Sequence, residues 1–121
     1  MSFFLKVRPM LAAMAIASLF GCATDPAPTE QLKLTEQAVA QASAVGATED
    51  EPDMAAAQAK LAQAKADMTH QSYKDARMQA EQAELDARLA EARVLTQKSD
   101  EQLTQVNGRL ERLRKQLGTS Q

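Results

Sequence analysis

Two lines of apolar and small residues run along the second half of the chain, both with the 3- and 4-residue spacing of a helix. One is almost entirely alanine: Tyr73, Ala76, Ala80, Ala83, Ala87, Ala90 and Val94. The other carries larger side chains: Leu85, Leu89, Ala92, Thr96, Ser99, Leu103, Val106, Leu110, Leu113 and Leu117. The second line starts nearly opposite the first, and Thr96 and Ser99 interrupt it with polar groups. Together they predict one long helix over about 73–117. Its alanine line would let a neighbouring helix approach closely. The heptad register passes through Gly108 unbroken, which predicts continuity there. A fold-back after Asn107-Gly108 is the alternative, because a mid-helix glycine costs about 1 kcal/mol.

Upstream, Met54, Ala57, Leu61, Ala64 and Met68 repeat with the same spacing and predict a helix over about 52–69. Pro52 suits its first turn. Ala55, Ala59, Ala62 and Ala66 form a second stripe, so this helix reads as placed between two neighbours. Thr69-His70-Gln71 breaks the pattern, and Ser72 with Asp75 reads as a variant capping box. The expected result is an antiparallel helical hairpin, 52–69 against 73–117.

A third helix is predicted over about 29–45, with Thr29 as cap and Gly46 as its stop. Its pattern is broad: Leu32, Val39 and Ala42 fall on one face, and Leu34, Ala38 and Val45 on another. The fold class expected is all-α and coiled-coil-like. At roughly 1.5 Å per residue the long helix outruns its hairpin partner by more than ~30 Å. Its distal leucines, Leu103, Val106, Leu110, Leu113 and Leu117, have no intramolecular helix long enough to cover them. They are the candidate partner surface, most simply for a homo-oligomeric coiled coil, otherwise for another envelope protein.

The first 21 residues have a different character. Lys6 and Arg8 precede an uncharged apolar run, 10–20, as in a bacterial export signal. That run is about half the roughly 20 residues a spanning helix needs. Leu19-Phe20-Gly21-Cys22 then resembles the lipobox of bacterial lipoproteins. The resemblance implies cleavage between Gly21 and Cys22 and acylation of Cys22, the sole cysteine. Membrane lipid would be the anchor's partner, held stably because the modification carries more than one chain. Ala23, where enteric inner-membrane lipoproteins carry aspartate, implies the outer membrane, facing the periplasm. Residues 1–21 are therefore expected to be leader, 22–28 a proline-containing tether, and 29–121 a helical periplasmic domain.

Composition narrows the chemistry. Every phenylalanine lies in the leader and there is no tryptophan, which leaves Tyr73 as the one aromatic residue after it. The formal charge of the whole chain is −2, and losing Lys6 and Arg8 makes it more acidic. No basic stripe or stacking platform for nucleic acid is present. His70 is the single histidine, and no glycine-rich phosphate loop occurs. These features argue against an enzyme, a metal, a cofactor or a small-molecule substrate. Glu81, Glu84, Asp86, Arg88 and Glu91 read as a solvated face. Arg109, Arg112, Arg114 and Lys115 make a basic helix end, suited to the helix dipole or to contact with anionic lipid or cell-wall polymer.

Thr29-Glu30-Gln31-Leu32, the segment 59–64 (Ala-Lys-Leu-Ala-Gln-Ala), Tyr73-x-x-Ala76 and the segment 80–87 resemble a family of small, alanine-rich helical lipoproteins of proteobacteria. That family is catalogued as a domain of unknown function, and some members are fused to an OmpA-like domain, which this sequence does not contain. The expectation is a lipid-anchored envelope protein with a structural or interaction role through its long C-terminal helix. The alternative is a lipid-anchored adaptor that regulates a cell-wall enzyme or an envelope transport complex.

Overall fold

The computed structural model describes residues 25–119. They form three α-helices and, among the described residues, no strand: α1 (Thr29–Val45), α2 (Pro52–Thr69) and α3 (Tyr73–Gly118). The 46-residue α3 is unbroken through Gly108 and spans about 69 Å. No fold-back occurs at Asn107-Gly108.

α3 is the element shared by both others. Ala76, Ala80, Ala83, Ala87, Ala90 and Val94 are its buried residues. Ala38 of α1 and Ala57 of α2 meet Ala87 in one apolar cluster. Ala42, Ala47 and Met54 meet Ala90 and Val94 in a second. Alanine has almost no side chain to hold helices apart, so one narrow seam accepts two helices side by side. α1 runs parallel to α3 and α2 runs antiparallel to both.

This arrangement corrects the expected placement of α2. The stripe Ala55, Ala59, Ala62 and Ala66 is exposed, and α3 takes the central position instead. Alanine methyl groups offer little apolar area, so leaving that stripe in water costs little. The faces of α1 are also corrected. Its buried line is Thr35, Ala38 and Ala42, while Leu34 is exposed. A fully buried threonine lies where the hydrophobic pattern marks no position at all.

Turns, rather than side-chain caps, set the helix boundaries. Pro28 occupies the cap position of α1 and Ser72 that of α3, and neither makes a side-chain cap hydrogen bond. The expected Thr29 cap and the Ser72/Asp75 capping box do not form: Thr29 is already helical, and Ser72 uses its backbone carbonyl to accept from the Ala76 N–H at 2.9 Å. At the C-termini the two ends of the α1–α2–α3 path close alike. Gly46, at φ 107°, donates to the Ser43 carbonyl while Ala47 donates to that of Ala42. Gln71, at φ 60°, donates to the Met68 carbonyl while Ser72 donates to that of Asp67. Both are Schellman closures, the second without glycine.

Candidate interaction surface

Polar contacts tie the helices together on either side of the alanine seam. Lys60 of α2 reaches Asp86 of α3 at 2.6 Å, and Asp53, in the first turn of α2, pairs with Arg93 at 2.8 Å. Lys65 and Glu36 join α2 to α1 at 2.6 Å. Glu84 accepts from Gln31 of α1 at 2.7 Å and from the Arg88 guanidinium one turn along. The Arg88 hydrogen bond, then that of Gln31, holds the Glu84 carboxyl below its ordinary range. Glu84 and Asp86 are therefore inter-helix ties and not part of a uniformly solvated face.

The body ends where α1 ends. Lys98 donates from Nζ to the carbonyl of Val45, placing a cation at the C-terminus of α1, where the helix dipole favours it. Val94 is the last buried residue of α3. Beyond Lys98 about 20 residues continue as a helical tail some 30 Å long. Leu103, Val106, Leu110, Leu113 and Leu117 keep 61%, 49%, 45%, 53% and 71% of their surface exposed. The five residues share one face of the tail, as the heptad register requires, and all five are exposed. Leu85 and Leu89, earlier on the same line, are likewise exposed.

Other surfaces offer less. A shallow, solvent-open groove along α3 is lined by polar side chains, among them Arg93, Gln97, Asp100 and Thr104. His70 sits exposed in the α2–α3 turn. Among the described residues no group of three or more His, Cys, Asp or Glu is placed to hold a metal ion. No described helix is long and apolar enough to cross a membrane. The leader, Gly21 and Cys22 lie outside the described residues. The last residues of the expected tether lie inside them: Pro28 is buried, and Arg77 donates to the Pro26 carbonyl at 3.4 Å.

A three-helix body of this connectivity, with its long third helix, has counterparts. A family model described as a domain of unknown function, DUF4398, matches residues 30–106. The chain belongs to the DUF4398 family. A crystal structure of a DUF4398 family protein from Pseudomonas aeruginosa PAO1, at 2.47 Å resolution, is similar at 60% identity and a TM-score of 0.77. The match covers 79% of this chain and 100% of that one. No curated protein matches the chain. The DUF4398 segment ends at Val106, so Leu110, Leu113 and Leu117 extend the tail seam past it. These leucines are exposed, as their heptad spacing beyond the body predicts. Sequence reasoning missed the ties at Gln31–Glu84 and Lys98–Val45, because a charged residue that reaches across to another helix leaves the same pattern as one that faces water.

Proposed function

We propose that this DUF4398 protein is a lipid-anchored envelope protein whose α3 tail is its interaction surface. The observation that carries the reading is the unbroken helix past Lys98, with a row of exposed apolar side chains along one face. Fully burying one leucine is worth about 1.5–3 kcal/mol. A row of them on a rigid helix is suited to a partner helix. Contiguous apolar surface at the end of a rod is a mark of protein interaction sites.

The anchor belongs to the same reading. Cys22, in its lipobox-like context, is the proposed acylation site, with Gly21–Cys22 as the cleaved bond and the periplasmic face of the outer membrane as the location. Cys22 precedes Asp25 by three residues, a reach of at most about 11 Å. The Pro26 carbonyl is held by Arg77, one turn into α3. An anchor at Cys22 would therefore tether the end of the body that Pro26 and Arg77 occupy, away from the tail seam.

Two experiments in cells test the two halves separately. Cys22→Ser is expected to abolish lipid labelling and leave the leader uncleaved or the protein unanchored. A mature-length, membrane-bound mutant refutes the anchor. Photo-cross-linkers placed along 95–117 are expected to capture protein, and Leu110→Asp with Leu113→Asp to abolish the capture. Unchanged cross-linking and sedimentation in that variant mean the seam is not an interface.

A further inference from the structure

We infer that the tail seam pairs with the seam of a second copy of this chain, and that the two tails run antiparallel. This rests on the reading of the tail as an interface and adds to it the occupant and its direction. The argument is charge. In the heptad register set by the apolar line, Leu103, Leu110 and Leu117 are a positions, and Ser99, Val106 and Leu113 are d positions. Flanking them, Asp100, Asn107 and Arg114 occupy e, and Gln102, Arg109 and Gln116 occupy g. Residues at e and g select partner and orientation in coiled coils.

A parallel pair sets each g residue against the e residue five positions on in the partner. Arg109 then faces Arg114 of the other copy, and symmetry repeats the clash. An antiparallel pair sets e against e and g against g. With its axis at residue 108, Leu103 packs on Leu113, Val106 on Leu110 and Leu117 on Ser99 of the second copy, each layer occurring twice. Arg114 then faces Asp100 of the second copy on both sides, and Arg109 meets its own mate once. Two attractive pairs against one repulsive pair replace two repulsive pairs. Sliding the antiparallel pair by one heptad one way takes Leu103 beyond the tail of its mate. Sliding it the other way sets Leu110 and Leu113 against Ser99 and Thr96, and brings Arg93 against Arg114.

Nothing described in the tail stands in the way. Arg114 pairs within its own helix with Glu111 at 2.8 Å, but both side chains are largely exposed, and such pairs contribute little. Gly108, where the two helices share their axis, has nothing within 4 Å of an added Cβ and lies at the outward f position, so it does not hinder approach. The assembly would be a rod of about 105 Å, with the bodies and their residue-25 ends at opposite extremities. Two anchors at Cys22 would then hold the rod along a membrane surface.

The test uses residues 22–121 with Cys22→Ser, a span that holds every helix–helix contact of the body and exceeds the share of this chain matched by the crystallised relative. Sedimentation is expected to show a concentration-dependent dimer, and small-angle scattering a maximum dimension near ~105 Å, against ~70 Å for one chain or a parallel pair. Arg114→Glu, which places Glu against Asp100, is expected to weaken the dimer on the order of tenfold. Asp100→Lys together with Arg114→Glu is expected to restore it. A parallel pair gives the opposite sign, because Arg114→Glu relieves its Arg109 clash. A chain that stays monomeric while circular dichroism reports the full helix overturns the inference. So does a dimer of ~70 Å tightened by Arg114→Glu. In either case, cross-links in cells from the seam to a foreign protein would leave the interaction reading standing, so the two failures are distinguishable.

Discussion

The Oγ1 of Thr35 lies 2.9 Å from the carbonyl oxygen of Ala80 and 2.9 Å from that of Gln31. Its single hydroxyl proton is thus shared between its own helix and α3, in a site with no solvent exposure. Two helices approach closely enough for such a contact only where the facing residues are small, and Ala80 and Ala38 provide that. Thr35 is the buried polar member of an otherwise alanine-lined crossing. Thr35→Val keeps the shape and removes the hydroxyl. Both carbonyls retain their own helical partners, so the expected cost is about 1 kcal/mol. Thr35→Leu adds volume at the same crossing and is expected to cost more, about 1–3 kcal/mol. Urea unfolding of the two variants checks the order. If Val is worse than Leu, the hydrogen bond rather than the close approach fixes α1.

The seam itself makes a sharper contrast. Ala57 and Ala87 are fully buried and belong to the same cluster, whereas Ala62 is exposed on the far side of α2. Ala87→Leu must force apart either α1 or α2 and is expected to destabilise by about 1–3 kcal/mol. Ala62→Leu is expected to stay within about 0.5 kcal/mol of the parent. Equal effects in thermal unfolding would mean that the second alanine stripe of α2 is also packed, as its sequence pattern suggests.

The turns give predictions of opposite sign. Gln71 holds φ at 60°, a conformation that disfavours any residue with a Cβ, and it does so at the Schellman position where glycine is most common. Gln71→Gly is expected to stabilise the chain by about 0.5–1 kcal/mol despite the added freedom of the unfolded state. At Gly46, with φ 107°, a Cβ would meet Lys98 Nζ at 3.6 Å and Val94 at 4.0 Å, ordinary contacts. Backbone strain therefore sets the cost of Gly46→Ala, about 1–2 kcal/mol. Denaturant midpoints of the two variants should move in opposite directions.

These positions also show what the sequence makes legible. The 3,4 spacing of Ala76 to Val94 states the period of the main seam directly, and Gly46 and Pro52 punctuate the chain where α1 ends and α2 begins. The helix ends followed from these cues to within a residue. Which helix lies in the middle did not. Small-residue stripes on α2 and α3 look alike in sequence, and the choice depends on how two helices share one seam. The buried line of α1 stayed hidden because its key member, Thr35, counts as polar in any hydrophobic pattern, and its acceptors are backbone atoms that carry no side-chain signal. The tail face was legible for the converse reason: its leucines keep strict register where nothing else competes for them.

Gly108 offers a local test of the tail. It lies in the interior of α3 with nothing near an added Cβ, so Gly108→Ala changes helix propensity and adds no contact. The gain is about 1 kcal/mol. Because α3 has no buried residue past Val94, the gain should appear as slower amide exchange over 100–117, with the global unfolding midpoint nearly unchanged. A rise in the global midpoint at concentrations where the chain is monomeric would mean that the tail folds as one unit with the body.

Acid response isolates the Gln31–Glu84–Arg88 tie. Arg88 and Gln31 both favour the charged carboxylate, so the folded-state value lies below the ordinary 4.5. A group depressed on folding binds more protons in the unfolded chain. Its stabilisation is complete above the ordinary value and is lost as pH falls past it and through the lowered folded-state value. Glu84→Gln keeps a side chain of similar size but removes the charge at every pH. The difference in melting temperature between parent and variant should therefore be constant from neutral pH down to about 5.5, then shrink as the solution is acidified through 4.5 and below. Salt should reduce the difference at neutral pH, because Arg88 is mostly exposed and the pair is open to screening. A gap that grows on acidification would reverse the sign and show that Glu84 is held protonated in the fold. A gap that does not change with pH would mean that the carboxylate charge contributes nothing to the tie.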